Sequence, residues 1–243
     1  MRSPIPMNAL IIFSKAPLPG IAKTRLSPPL NTQETNELAR CFILDTIAKY
    51  KKIKYATCYL AYTPKKGRKF FTTYLPYSHL LLQTKRKLGT KILDATKTIF
   101  AKGYRNIVCI ATDSPDLPVC FVKKAFQILN SKKNTMVIGP CLDKGFYLIG
   151  MNSTQDISFL KDFDWGRQHI AKDLIHAGEK CCNKIAILPV WFDVDDFNAV
   201  VKLAKRLSDD HSLHAPLTRH ILTNTLYDKI TTHQQNLTPV ALH

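Results

Sequence analysis

The chain has 243 residues, 45% of them apolar, and its 35 Lys and Arg against 18 Asp and Glu give a formal charge of +17. That length suits one large α/β domain or two small ones, with ample material for a core and too little glycine for a disordered chain. No run approaches the ~20 apolar residues of a membrane span, and no signature for reading RNA or DNA accompanies the charge, so the excess cation reads as a basic surface that attracts small anionic substrates.

The N-terminal MRSPIPMNALIIF has one arginine and a very short apolar run, so it does not read as a signal peptide. Ala9 to Phe13 reads as a fully buried strand. It opens into a Pro/Gly loop that carries Lys15, Lys23 and Arg25. Backbone N–H groups and cations in such a loop are suited to phosphate, although the glycine pattern is neither Walker A nor GxGxxG. Asn31-Thr32 caps a helix to about Lys51, with Leu38, Cys41, Phe42, Leu44 and Ile47 at helical spacing. Tyr55 to Tyr62 and His79 to Gln83 read as strands, with a short helix between them from Arg68 to Tyr74.

A helix to about Lys102 ends at Gly103. Asn106 to Ala111 is uninterrupted and apolar, hence central in the sheet, and runs into Thr112-Asp113-Ser114-Pro115-Asp116. A helix from Val119 to Leu129 and strands Thr135–Gly139 and Phe146–Met151 follow. Helices are predicted at about 153–161 and 166–177, a strand over Lys184 to Leu188, and a helix from about Asp196 to Leu207. Strands alternating with helices predict a mostly parallel sheet covered on both faces. The main domain is expected over 1–207, followed over 208–243 by one amphipathic helix near 216–230 and a loose tail. Seven cysteines without a CxxC pair read as free, mostly buried thiols of a cytoplasmic protein.

In open α/β sheets ligands bind at the carboxyl ends of the strands. That rule selects Lys15 to Arg25, Asp113 to Asp116, Asp143 to Gly145 and Asp193 to Asp196. Cations on one loop and carboxylates on the others point to a nucleotide phosphate with a divalent metal, since Mg²⁺ takes a few carboxylates plus phosphate oxygens. Asp113, at the end of the most buried strand, is the sharpest metal candidate. Asp116 reads first as a turn residue, and Asp195 or Asp196 is also a natural helix N-cap.

The runs FSKAPLPGxxKTRL, TDSPDLP, GPxxDKGFYLIG and WFDVDD come in one order and spacing. With them the chain resembles the glycosyltransferase-A-like family of rSAM/selenodomain-associated transferases. That family is similar to the 2-phospholactate guanylyltransferases and the molybdenum-cofactor nucleotidyltransferases. The resemblance implies a three-layer Rossmann-like GT-A fold and a metal-dependent transferase that uses a nucleotide or nucleotide-sugar donor and a small acceptor. It implies Mg²⁺ or Mn²⁺ as cofactor, while the lack of a long apolar run and of a nucleic-acid signature speaks against a membrane or nucleic-acid partner. By position, Lys15, Lys23 and Arg25 would meet the phosphates, and Gly89 would lie near the nucleoside. Asp113 would hold the metal with Asp193 or Asp195, Asp113 and Lys23 being the catalytic pair. Asp143, Gly145 and Trp165 would form the substrate loop.

The chain also departs from the family. Lys144 replaces the first of two usual glycines, and Trp165-Gly166-Arg167 replaces W-S-T. Leu88-Gly89-Thr90-Lys91-Ile92 lacks a Glu–Arg pair. These changes fall on the acceptor side, so either a different acceptor or a non-catalytic, nucleotide- or partner-binding descendant is implied.

Overall fold

In the computed structural model the described residues are 7–237, apart from 86, 182, 183, 211 and 213. The first six residues, Cys182, His211 and the tail from 238 lie outside them. Seven strands form one sheet: β1 (Asn8–Lys15), β2 (Thr57–Thr63), β3 (Leu80–Leu82), β4 (Asn106–Ala111), β5 (Thr135–Pro140), β6 (Phe146–Asn152) and β7 (Lys184–Ile187). Their order is β3-β2-β1-β4-β6-β5-β7. All run parallel except β6, which pairs antiparallel with β4 and β5. The central strands β1 and β4 are almost wholly buried, as unbroken apolar runs require when both faces of a sheet are covered.

The helices are α1 (Thr32–Tyr50), α2 (Arg68–Thr72), α3 (Leu88–Phe100), α4 (Val119–Ser131), α5 (Ile170–Lys180), α6 (Phe197–Asp209), α7 (Pro216–Thr223) and α8 (Tyr227–Leu237). α1 and α4 cover one face of the sheet through Ile43, Ile47, Val122 and Phe126. α3 and α5 cover the other through Ile92, Leu93, Ile99 and Leu174. A third apolar cluster lies outside α1, where Leu38 and Phe42 meet Val200 and Leu203 of α6, Ile221 of α7 and Ile230 of α8.

The N-terminus of α1 is closed by a capping box between Asn31 and Glu34, and Lys229 of α8 reaches Glu34 at 2.6 Å. The buried carboxylate of Asp45 accepts from the backbone N–H of Leu217 at 3.1 Å and of Thr218 at 2.7 Å. A helix of the core thus caps the free N–H groups of α7.

Three expectations are adjusted. Over 153–161 only the 3-10 turn Ser158–Lys161 is helical, and the helix expected from 166 begins at Ile170. The amphipathic segment near 216–230 is two helices, α7 and α8, and helix continues to Leu237. Of the cysteines, 41, 58, 109 and 141 are free and buried, whereas 120 and 181 are free and exposed.

Lys49 is the least expected core residue. Its Nζ is buried under the loop that follows β4 and donates to the carbonyls of Pro115 at 2.7 Å and Leu117 at 2.9 Å. Burial outweighs the attraction of Asp116 and Asp45 and lowers its pKa to about 8. An unfolded lysine keeps its proton to about pH 10.4, so between those values the unfolded state binds more protons and folding gains stability as pH rises. Relative to Lys49→Met, the wild-type unfolding free energy should therefore grow by about 2 kcal/mol from pH 8 to pH 10. Denaturant titrations of both proteins at the two pH values measure this. A difference that stays flat would show that the amine is charged in the fold.

Candidate functional site

β1 delivers the chain to Lys15 at the carboxyl edge of the sheet. The next turn is held by Ala16 N–H to Thr63 O at 2.8 Å and Ile21 N–H to Leu18 O at 3.0 Å. Gly20 and then Lys23 take positive φ, 68° and 54°. For a lysine that conformation is strained and is kept only where the surroundings enforce it. Here they do. The side chain of Lys23 is 9% exposed. Its Nζ is ion-paired with Asp113, donates to Val194 O at 2.5 Å, and lies 3.4 Å from Asp195. Burial favours the neutral amine, but Asp113 and Asp195 outweigh it and hold the ammonium above its ordinary pKa.

The loop after β4 is tied down from several sides. Val194 N–H donates to Asp113 O at 3.0 Å, and the Ser114 hydroxyl donates to Phe192 O at 2.6 Å. These two bonds fasten the Asp113 loop to the segment 192–195. Asp116 is fully buried and paired at 2.9 Å with Arg206, whose guanidinium lies 4.0 Å over the Phe192 ring. Asp116 therefore anchors the loop from beneath. Asp196 is the N-cap of α6, accepting from Ala199 N–H at 2.8 Å, which leaves Asp195 free to face Lys23 and, at 3.8 Å, Arg25.

The resulting crevice has a volume of about 540 Å³ and is lined by Lys15, Lys23, Arg25, Asp113 and Asp195 together with Lys91, Gln83 and Thr112. Beside it stands a second acidic group, in which ligand atoms of Cys141, Asp143 and Asp193 lie within 4.8 Å of one another. Burial, then repulsion by Asp143 and Asp195, pushes the Asp193 carboxyl up to about 7. Burial likewise raises the Cys141 thiol, with Asp193 and Asp143 adding to it. The donor set fits a hard divalent cation. Asp113, Asp143, Asp193 and Asp195 converge from three loops with Lys23 as their neighbouring ammonium, and such carboxylate oxygens suit Mg²⁺ or Mn²⁺. The protonated thiol of Cys141 does not suit one.

Asp143 folds its own loop by accepting from Gly145 N–H at 2.9 Å. Gly89, Gly145 and Trp165 stand outside the crevice wall. Gly89 lies in the first turn of α3, where a Cβ would fall 1.7 Å from Leu160 O and 2.5 Å from the Trp165 ring nitrogen. Trp165 packs on Phe163 and Phe146 and lines a separate depression of about 480 Å³ with Lys87, Leu88 and Lys161. Leu88 borders both cavities.

Lys91 was not singled out from the sequence, though it ends a basic run. Burial and the nearby Lys15 lower its pKa. Lys49 and Arg206 were also missed. Lys49 had a signal, since 38, 42, 45 and 49 recur at helical spacing on one buried face.

Lys144 adopts φ 72° at the position where the resembled family carries glycine. The left-handed conformation costs a non-glycine residue about 1–2 kcal/mol, part of which glycine returns as chain entropy. Lys144→Gly should thus raise the melting temperature by a few degrees. A fall in calorimetry would mean that the lysine side chain stabilises the loop by contacts outweighing this strain.

Among solved structures, the chain matches a protein of Desulfovibrio desulfuricans G20 named as a candidate nucleotide-diphospho-sugar transferase, with TM-score 0.86 and 24% identity over 94% of this chain and 99% of that one. It also matches CMP:2-keto-3-deoxy-manno-octonic acid synthetase complexed with CTP, with TM-score 0.54 and 8% identity over 83% and 98%. A third match is molybdopterin-guanine dinucleotide biosynthesis protein A of Archaeoglobus fulgidus, with TM-score 0.53 and 11% identity over 82% and 100%. At these identities the likeness is one of fold, the Rossmann-like α/β fold of nucleotide-diphospho-sugar and nucleotidyl transferases. No curated protein matches the chain in sequence. The family model described as an uncharacterized protein conserved in bacteria, DUF2064, matches residues 46–167, half of the chain, and the chain belongs to that family.

Proposed function

We propose that the chain is a metal-dependent transferase that takes a nucleoside triphosphate or a nucleotide sugar as donor and a small molecule as acceptor. The observation that carries this reading is that the crevice is lined both by cations free of carboxylate partners and by convergent carboxylates. Lys15 and Lys91 stand close together, and among the described residues neither is paired with a carboxylate. Asp113 and Asp195 line the same crevice, and Asp193 is close enough to feel both. A phosphate chain carrying a divalent cation complements both sets of charge. The fold includes a synthetase complexed with CTP and a dinucleotide biosynthesis protein, and the motif resemblance points the same way.

Lys15, Lys23, Arg25 and Lys91 bind the phosphates, and the start of α3 around Gly89 sits beside the nucleoside. Asp113, with Asp193 or Asp195, holds Mg²⁺ or Mn²⁺, which supplies charge neutralisation of the phosphates when bound. The acceptor oxygen attacks either the α-phosphorus, releasing pyrophosphate, or the sugar C1, releasing the nucleoside diphosphate. In both cases Lys23 and Arg25 stabilise negative charge that grows on the leaving phosphate oxygens. Asp143, Gly145 and Trp165 shape the acceptor side. The catalytic domain spans residues 1–207 with the remainder appended, and the free buried thiols are in keeping with a reducing cytoplasm.

A second reading, a binding protein without turnover, draws on the Lys23 ammonium, which is paired with both Asp113 and Asp195. Thermal-shift titration with a nucleotide panel, with and without Mn²⁺, followed by assay of pyrophosphate and nucleoside diphosphate release, separates the two. Stabilisation that needs metal, together with turnover, supports transfer. Stabilisation without turnover supports the second reading.

Asp113→Asn removes charge but keeps size, and Lys23 retains Val194 O and Asp195 as partners. This variant should fold with a melting temperature within a few degrees of wild type and lose Mn²⁺-dependent nucleotide stabilisation. Persistent metal-dependent binding would remove Asp113 from the metal site. Arg25, with its side chain 80% exposed and 3.8 Å from Asp195, is tested by Arg25→Ala. Nucleotide affinity should weaken by about 1.5–3 kcal/mol, the worth of a hydrogen bond to a charged group. Unchanged calorimetric affinity would make Arg25 ordinary surface charge.

A further inference from the structure

A row of exposed positive charge lies at the end of the sheet opposite the crevice. There the parallel strands begin, and exposed cations recur in the turns that enter them: Lys51, Lys52 and Lys54 ahead of β2, Arg105 ahead of β4, and Lys132 and Lys133 ahead of β5. Lys184 opens β7. With strands about 4.8 Å apart, the row from β2 to β7 is roughly 24 Å long. Among the described residues none of these cations takes part in an ion pair. The acids nearest in these turns are Asp156, which faces Lys97, and Glu179.

The edge is also level. Asn8, Asn106 and Asn152 stand opposite one another in β1, β4 and β6. Their side chains are joined by Asn106 donating to Asn8 at 3.0 Å and Asn152 donating to Asn106 at 2.8 Å. Asn152 in turn accepts from Thr135 N–H at 3.1 Å, and Thr135 is level with Lys184. Met7, 47% exposed, is on the same edge, its carbonyl accepting from Arg105 N–H at 2.9 Å.

We propose that this edge docks the protein on an anionic lipid surface. The level row of long cationic side chains around an exposed methionine complements a plane of acidic headgroups, to which each basic residue adds attraction. A single-stranded nucleic acid would call for exposed rings on which bases stack. Among the described residues the exposed aromatic side chains are Tyr77 and Tyr227, and neither lies in these turns. No described helix is long and apolar enough to cross a membrane, so the contact is peripheral. It leaves the crevice facing away from the lipid, open to soluble ligands. Attraction of small substrates does not account for this charge, because it lies at the wrong end of the sheet.

The test is flotation of the full chain with phosphatidylcholine vesicles that contain about one-third phosphatidylglycerol, against vesicles of phosphatidylcholine alone. Wild type should float with the anionic vesicles only and be released at high salt. K51E/K52E/K54E should weaken binding by at least about tenfold. K65E/K66E/K69E, with the same change in net charge on exposed lysines near the carboxyl edge, should bind within about twofold of wild type. Melting temperatures near that of wild type show that the variants fold, and K132E/K133E repeats the test if the first variant unfolds. Absence of binding, equal binding to neutral vesicles, equal loss in both triple variants, or tighter binding to a DNA or RNA oligonucleotide than to anionic vesicles would each overturn the proposal.

Discussion

The Lys23 ammonium is the charge on which the crevice depends. Asp113, Asp193 and Asp195 come from loops eighty residues apart in sequence, and Asp143 stands close enough to add to the repulsion on Asp193. Two like charges about 4 Å apart repel by about 4 kcal/mol at an effective dielectric near 20. A loop cluster of this kind would spread unless something offset it. Lys23 does so from a buried position, with one bond to a backbone carbonyl and ion pairs to two of the carboxylates. Its left-handed backbone is the strain that the arrangement sustains.

The same loops are held from beneath by groups that never reach the crevice. Lys49 of α1 donates to two carbonyls of the Asp113 loop, and Arg206 of α6 pairs with Asp116. Arg206 sits on the helix that packs with α7 and α8 in the third apolar cluster. That helical layer is therefore coupled to the position of Asp113 through a buried ion pair, whose rupture on one side strands a charge in the interior. The coupling runs through α6 rather than through the segment after it, since α7 is fastened separately to Asp45.

Local pattern made most of the fold legible. Unbroken apolar runs marked β1 and β4 as central, helical spacing marked α1, and the crevice rule drew Lys23, Asp113 and Asp195 to the same edge. Short polar segments were harder. Residues 153–161 carry enough apolar side chains to mimic a helix but form only one 3-10 turn, and α7 and α8 share one amphipathic pattern although Asn224 interrupts them. Roles decided by long-range partners were out of reach. Nothing near Asp116 announces Arg206, ninety residues away, and only the cap bond from Ala199 separates Asp196 from Asp195. The packing reason for Gly89 was also out of reach, since its missing Cβ makes room for Leu160 and Trp165, more than seventy residues away.

The two ends of the sheet use their cations in different ways. At the carboxyl end Lys23 and Arg25 face aspartates at short range, so the field they project is largely cancelled within the crevice and their effect is on geometry. The buried Lys23 charge is little affected by salt, whereas the exposed Arg25 is screened. At the amino end the cations are exposed and, among the described residues, outside any ion pair, so they project a field outward. That field acts over about a Debye length, roughly 8–10 Å, and fades as ionic strength rises. Overall composition cannot distinguish the two, because net charge has no direction. The topology supplies the direction. The parallel strands are entered from one edge and left at the other: Lys51, Lys52, Lys54, Arg105, Lys132 and Lys133 fall at the first edge, and the clustered Asp113, Asp143, Asp193 and Asp195 at the second.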